Sequence, residues 1–145
     1  MSENVKWGMV IDVSKCIACH ACTASCRIEN KVTSEENRSW VTEEEVGAYP
    51  DVHVLKVAQL CNHCDKTPCI DACPVDATGK NEEGIVFIDK EKCIGCYVCV
   101  EACPYGARIK DEDARKADKC DFCAHRLNNG LLPVCVSTCP TQARF

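Results

Sequence analysis

Sixteen cysteines stand in this sequence in four groups of four: Cys16, Cys19, Cys22 and Cys26; Cys61, Cys64, Cys69 and Cys73; Cys93, Cys96, Cys99 and Cys103; and Cys120, Cys123, Cys135 and Cys139. None is left over, and the spacings are those of thiolates that hold iron–sulfur clusters. The third group reads C-x2-C-x2-C-x3-C-P and ends on Cys103-Pro104, a run that ligates [4Fe–4S]. The second has four residues between its second and third cysteines and closes on Cys73-Pro74. The fourth keeps the opening C-x2-C and the closing C-x3-C-P around a longer interval, whereas the first has the full spacing but Arg27 in the proline's place.

Iron bridged by sulfide is a soft centre that prefers thiolate, and four thiolates per cluster use every cysteine present. Zinc is the strongest competitor. Four-cysteine zinc sites pair two C-x2-C knuckles across an interval, a pattern that only the fourth group approaches. A disulfide framework is disfavoured by the cluster-like spacing and by the lack of an export signal in MSENVKWGMVIDV. A catalytic cluster needs an open iron position, and no group lacks a ligand. One-electron transfer without bond chemistry is therefore expected, and the chain is not expected to be an enzyme.

The elements that must position these thiolates repeat. Residues 8–22, GMVIDVSKCIACHAC, match residues 84–99, GIVFIDKEKCIGCYVC, with Asp12 and Asp89 four positions before the first cysteine of each copy. Each copy reads as a short apolar strand turning into a ligand loop. Gly95, with Ala18 as its small counterpart, is read as allowing close approach of the backbone to a cluster. The C-x3-C closures place sulfurs one helical turn apart, which predicts short helices from Cys22 to Cys26 and from Cys99 to Cys103, stopped by the closing prolines. The second and fourth groups echo one another as variant loops. The expected fold is α+β, a duplicated bacterial-ferredoxin-like fold with little regular structure, in which residues 1–145 form one compact unit of two interleaved halves. Residues 27–60 read as a surface excursion, strand-like at Val52 to Val57, with solvated acids at Glu35, Glu36 and Glu43 to Glu45.

His20, His63 and His125 adjoin cysteines and are read as partly exposed loop residues rather than donors to sulfur. Lys15, Lys92 and Lys119 each precede the first cysteine of a group; compensation of cluster charge and simple solvation are equally open readings. Trp7, Trp40 and Tyr97 read as packing or interface anchors.

The whole framework, with LCNHC at 60–64, CIGCYVCVEACPYGA at 93–107 and CVSTCP at 135–140, resembles the four-cluster iron–sulfur subunit of the dimethyl sulfoxide reductase group of molybdenum and tungsten enzymes. Similar subunits accompany tungsten aldehyde oxidoreductases. The resemblance implies four [4Fe–4S] clusters with ligands exchanged between the first and fourth groups and between the second and third. The outer pair would take Cys16, Cys19, Cys22 with Cys139, and Cys120, Cys123, Cys135 with Cys26. The inner pair would take Cys61, Cys64, Cys69 with Cys103, and Cys93, Cys96, Cys99 with Cys73. It also implies a catalytic subunit carrying a molybdenum or tungsten pterin, with a further redox subunit or copies of the chain itself as other partners. Family members run some tens of residues past the last Cys-Pro, whereas this sequence ends at Phe145, which fits either a soluble complex or a trimmed end and makes a membrane-anchor partner the less expected. A free-standing or self-associating polyferredoxin is the alternative reading, and a zinc-stabilised interaction module a third.

Composition narrows the rest. The formal net charge is −5, and four cubanes at about −2 each would deepen it, so nucleic acid is not an expected partner. No stretch reaches the roughly 20 apolar residues of a membrane span. The cytoplasm is the expected location, with export bound to a signal-bearing partner as the alternative. Aromatic residues make up only 6% of the chain and many hydrophobic positions are the cysteines themselves, so the apolar core is thin and metal must hold the chain together. Removal of iron is therefore predicted to unfold most of the protein. Far-UV circular dichroism after chelation should show loss of structure; a native-like spectrum would contradict this.

Overall fold

The computed structural model describes residues 5–145; the first four residues, part of the stretch read above as lacking an export signal, lie outside it. The elements run α1 (Ala21–Glu29), β1 (Ser39–Ala48), β2 (Asp51–Leu60), α2 (Pro68–Asp71), β3 (Thr78–Lys80), β4 (Val86–Ile88), α3 (Val98–Glu101), β5 (Arg108–Asp111), β6 (Lys116–Lys119), α4 (Ala124–Leu127) and α5 (Val134–Ser137). The strands pair as two-stranded antiparallel hairpins, β1 with β2, β3 with β4 and β5 with β6. This is the α+β architecture of short elements expected of a ferredoxin-type chain.

Helix lengths follow the closing residue of each cysteine group. α1 carries both Cys22 and Cys26 and runs on for 9 residues, because Arg27 continues the helix where a proline would stop it. α2, α3 and α5 are each 4 residues long and end ahead of Cys73-Pro74, Cys103-Pro104 and Cys139-Pro140. The expected helix from Cys99 to Cys103 therefore stops at Glu101, since proline disfavours helical geometry in the residue before it.

The duplication extends to the backbone. Ala18 and Gly95 have φ of 55° and 71°, and two residues later His20 and Tyr97 have φ of 56° and 59°. The strand expected in the first copy reduces to a single bridge, Ile11 to Arg144, while the second copy forms β4. Gly95 answers a different need from the one its position suggested. A Cβ there would overlap the carbonyl oxygen of Arg115, so the glycine admits the β5–β6 turn rather than a cluster.

Within 27–60 the long hairpin pairs Ser39 with Leu60 at its base and Ala48 with Asp51 at its tip. Ser39, Ala58 and Leu60 are buried and the outer half is exposed, with Glu43 opposite Lys56. Arg38 fixes the base. Its Nε and Nη2 donate to the Asp118 carboxylate at 2.7 and 2.8 Å, and Lys90 adds a third contact at 2.9 Å. Burial would raise the Asp118 carboxyl, but Arg38 and Lys90 outweigh it and the net shift is downward.

The apolar core is small, as composition required: Leu60, Ile85, Cys120 and Phe122, with Met9, Ile11, Cys61 and Leu127 packed around them. Much of the remaining buried set is cysteine and alanine. Among the described residues no helix is long and apolar enough to cross a membrane.

Replacing Gly95 by alanine should destabilise more than replacing Gly106, which has φ +60 and open space around it. The second change costs about 1–2 kcal/mol of left-handed strain, and the first adds a backbone clash. Anaerobic thermal unfolding should rank G95A well below G106A; equal losses would contradict the account.

Candidate metal centres

Each of four cavities is lined by four cysteines. The first has Cys16, Cys19, Cys22 and Cys139; the second Cys26, Cys120, Cys123 and Cys135; the third Cys61, Cys64, Cys69 and Cys103; the fourth Cys73, Cys93, Cys96 and Cys99. Their empty volumes, mouths included, are ≈ 330, 280, 350 and 310 Å³, close enough for one kind of guest. Among the described residues no three ligand-type side chains converge as around a single ion. The donors surround a volume instead, as a multi-atom cluster with thiolate ligands requires. A larger cleft, ≈ 870 Å³ on the same measure, lies among Ser34, Glu36 and Lys110 and contains no cysteine.

Helical spacing carries sulfurs from one cavity to the next. α1 gives Cys22 to the first and Cys26 to the second, and α5, packed against it, leads from Cys135 at the second to Cys139 at the first. α2 and α3, also in contact, do the same for the third and fourth through Cys69, Cys73, Cys99 and Cys103.

Four of the sulfurs receive a donor from four residues on. The backbone N–H groups of Ala77, Ala107 and Ala143 donate to Cys73, Cys103 and Cys139 at 3.2, 3.4 and 3.2 Å. The strings CPVDA, CPYGA and CPTQA make this possible, because the proline ends the helical turn and the chain then folds the alanine amide back onto sulfur. That shared string was the available signal, and cysteine spacing alone does not reveal it. In α1 the backbone N–H of Asn30 is used by the helix, and its side-chain Nδ2 lies 3.5 Å from Cys26 Sγ and 3.6 Å from Cys123 Sγ instead. Burial works against the Cys73 and Cys139 thiolates, yet the surrounding N–H donors, with Thr78 or Thr141, bring both below the ordinary thiol value.

Elsewhere burial dominates. It pushes the Cys26 thiol up to about 12, reinforced by Cys123 and Cys135, and raises Cys120 further. Four thiolates in such a cavity repel one another until cationic iron meets them.

Two residues beside the cysteines are buried, His63 against its reading as a partly exposed loop residue and Lys119 against the solvated one of its two readings. His63 is buried, stacked on Phe122 with ring centroids 4.0 Å apart, and its Nδ1 accepts the Val86 N–H at 2.9 Å. Burial, helped by Lys119 and Lys80, lowers its pKa to about 3. Lys119 is only 3% exposed and donates to the carbonyls of Val86 and Cys120, between Cys61 of the third cavity and Cys120 of the second. Lys15 and Lys92 remain exposed beside Asp12 and Asp89, while His20 and His125 face Glu43 and Glu29. Tyr97 packs under Lys110, 5.6 Å from its ring.

The cavities thus follow one another from first to fourth. All four cysteines of the second are buried, whereas the first and fourth each have one exposed cysteine, Cys19 and Cys96. Each exposed thiol has an exposed isoleucine close by in sequence, Ile17 and Ile94.

Four cysteine cages in succession, with N–H donors aimed at their sulfurs, define an iron–sulfur protein of ferredoxin type. The chain belongs to the 4Fe-4S dicluster domain family, which matches residues 52–145, and residues 13–33 match a 4Fe-4S binding domain. It carries multiple [4Fe–4S] clusters. It is similar to the B subunit of tetrathionate reductase from Salmonella typhimurium, 46% identical over 147 residues that cover 99% of this chain and 58% of that one. The B subunit of selenate reductase from Mesobacillus selenatarsenatis is 37% identical over 176 residues, covering 99% and 60%. Protein NrfC of Escherichia coli K12 is 43% identical over 144 residues, covering 97% and 65%. The chain therefore spans less than two thirds of the length of these curated relatives. Two of them are B subunits of reductases, the kind of protein to which the cysteine strings pointed.

Asn30→Ala should weaken the thiolates of the second cavity by about 1 kcal/mol, the worth of a hydrogen bond. One of the cluster reduction potentials should fall in a potentiometric titration while the rest hold. An unchanged set of potentials would show that Asn30 has no influence on sulfur.

Proposed function

We propose that the chain is the non-catalytic electron-transfer subunit of a reductase complex, relaying single electrons through four [4Fe–4S] clusters to or from a molybdenum- or tungsten-pterin catalytic subunit. The observation that carries this reading is the succession of four complete four-cysteine cavities with a partly exposed one at each end. The proposed ligand sets are Cys16, Cys19, Cys22 and Cys139; Cys26, Cys120, Cys123 and Cys135; Cys61, Cys64, Cys69 and Cys103; and Cys73, Cys93, Cys96 and Cys99. Each bound cluster would take up and release one electron.

The chain's own residues divide the work of holding and tuning. The exchanged cysteines, Cys26 on α1 and Cys73, Cys103 and Cys139 just past α2, α3 and α5, force neighbouring cages together. Ala77, Ala107, Ala143 and Asn30 direct N–H groups at thiolate sulfur, and such donors stabilise the more reduced, more negative state. Between the second and third cages His63, Phe122 and Lys119 close the gap and exclude water. A full set of four thiolates around each cavity leaves no ligand position for substrate. The names of the reductase B subunits among the relatives support the assignment to a complex.

Anaerobic purification of the tagged full chain from its native cells should bring down a stoichiometric large subunit containing molybdenum or tungsten. A lone protein active as a carrier would favour the polyferredoxin reading instead. Ligand exchange has its own test. Cys139→Ala should abolish the same paramagnetic signal as Cys16→Ala, whereas loss of the signal removed by Cys120→Ala would contradict the proposed sets.

A further inference from the structure

Arg108 and Arg144 are both 2% exposed, deeper than an unpaired guanidinium tolerates. They occupy the same place in the repeated strings, five residues after Cys103 and Cys139 in CPYGAR and CPTQAR. The partners they have are neutral: Nη1 of Arg108 donates to Thr78 Oγ1 at 3.1 Å, and Nη2 of Arg144 to the Gln59 carbonyl at 3.4 Å. Nε and Nη2 of Arg108, and Nε and Nη1 of Arg144, are buried and have no partner among the described residues. Arginine stays protonated in proteins, so these are buried positive charges with idle donors.

Their positions identify the missing partner. Arg108 lines the third cavity and stands against Cys99 of the fourth; Arg144 lines the first and stands against Cys135 of the second. Each cluster pair thus has one buried arginine at its junction, and the anions within reach are thiolates and the sulfides they would enclose.

We propose that Arg144 and Arg108 are the shared cationic donors of the two cluster pairs, each guanidinium hydrogen-bonding the sulfur of one cubane while facing a thiolate of its neighbour, and each thereby raising the reduction potentials of both. They are positioning and tuning residues. A fixed positive charge in a water-poor junction favours the added electron on either side, and the planar fork suits two sulfurs at once. The same charge offsets the repulsion between adjacent anionic clusters. The inference rests on the cluster reading above.

The test uses the full chain, isolated anaerobically with its clusters, in potentiometric titrations followed by electron paramagnetic resonance. R108Q should retain its iron and lower two potentials, with at least a tenfold change in the reduced-to-oxidised ratio at fixed potential, about 59 mV for a one-electron couple. R144Q should lower the other two, and R108K, which keeps the charge, should shift less than R108Q. Unchanged potentials in iron-replete R108Q and R144Q, or an equal shift of all four in each, would overturn the proposal. Should R108Q lose its iron, pulsed resonance on the native chain with 15N-labelled arginine decides: nitrogen couplings to reduced clusters should be present and weaken in R108K. Couplings that Arg144 supplies should remain in R108K; absence of any coupling in the native chain, or a spectrum in R108K identical to the native one, would overturn it. A native chain lacking iron would instead refute the cluster reading, so the two failures are distinguishable.

Discussion

Thiolate ligation of iron sets the terms for every other part of this structure. Sixteen sulfurs have to be placed in a chain of 145 residues, and burial, reinforced by neighbouring thiolates, drives the innermost thiols, Cys26 and Cys120, toward the neutral form. Iron reverses that preference, which makes cluster assembly and folding a single process. The composition of the interior follows. Around the cages the protein places alanine and cysteine, leaving Leu60, Ile85 and Phe122 as a modest apolar seam between the second and third cavities.

The same requirement explains how so little regular structure suffices. A single helical turn carries one sulfur to each of two cavities, and α1 with α5, or α2 with α3, fastens a pair of cages from both sides. Proline then performs two tasks at once. It ends the turn, and it lets the amide four residues later return to the sulfur just placed. The first group lacks that proline and keeps a longer helix, and there the Asn30 side chain approaches the sulfur in the amide's stead.

Much of this was legible in the cysteines. Their number, the Cys-Pro closures and the internal repeat indicate four cages and an α+β fold, because ligand spacing is a local property of the chain. What escaped was set by packing between distant segments. His63 reads as a loop residue in sequence and Lys119 as equally open to solvation or charge compensation, but the seam between cavities buries both. Gly95 sits in a ligand loop, yet its lack of a side chain serves a carbonyl twenty residues away in Arg115. The arginines of CPYGAR and CPTQAR carry no local sign of burial either. Only the folded chain places them at the junctions of cages.

The account is tested most directly by iron and sulfide analysis of the anaerobically isolated chain, joined to electron paramagnetic resonance after dithionite reduction. About sixteen irons per chain, four per cubane, with a complex spectrum from interacting neighbouring spins, is the result it predicts. Far less iron, or a colourless zinc-loaded protein without any paramagnetic signal, would contradict it.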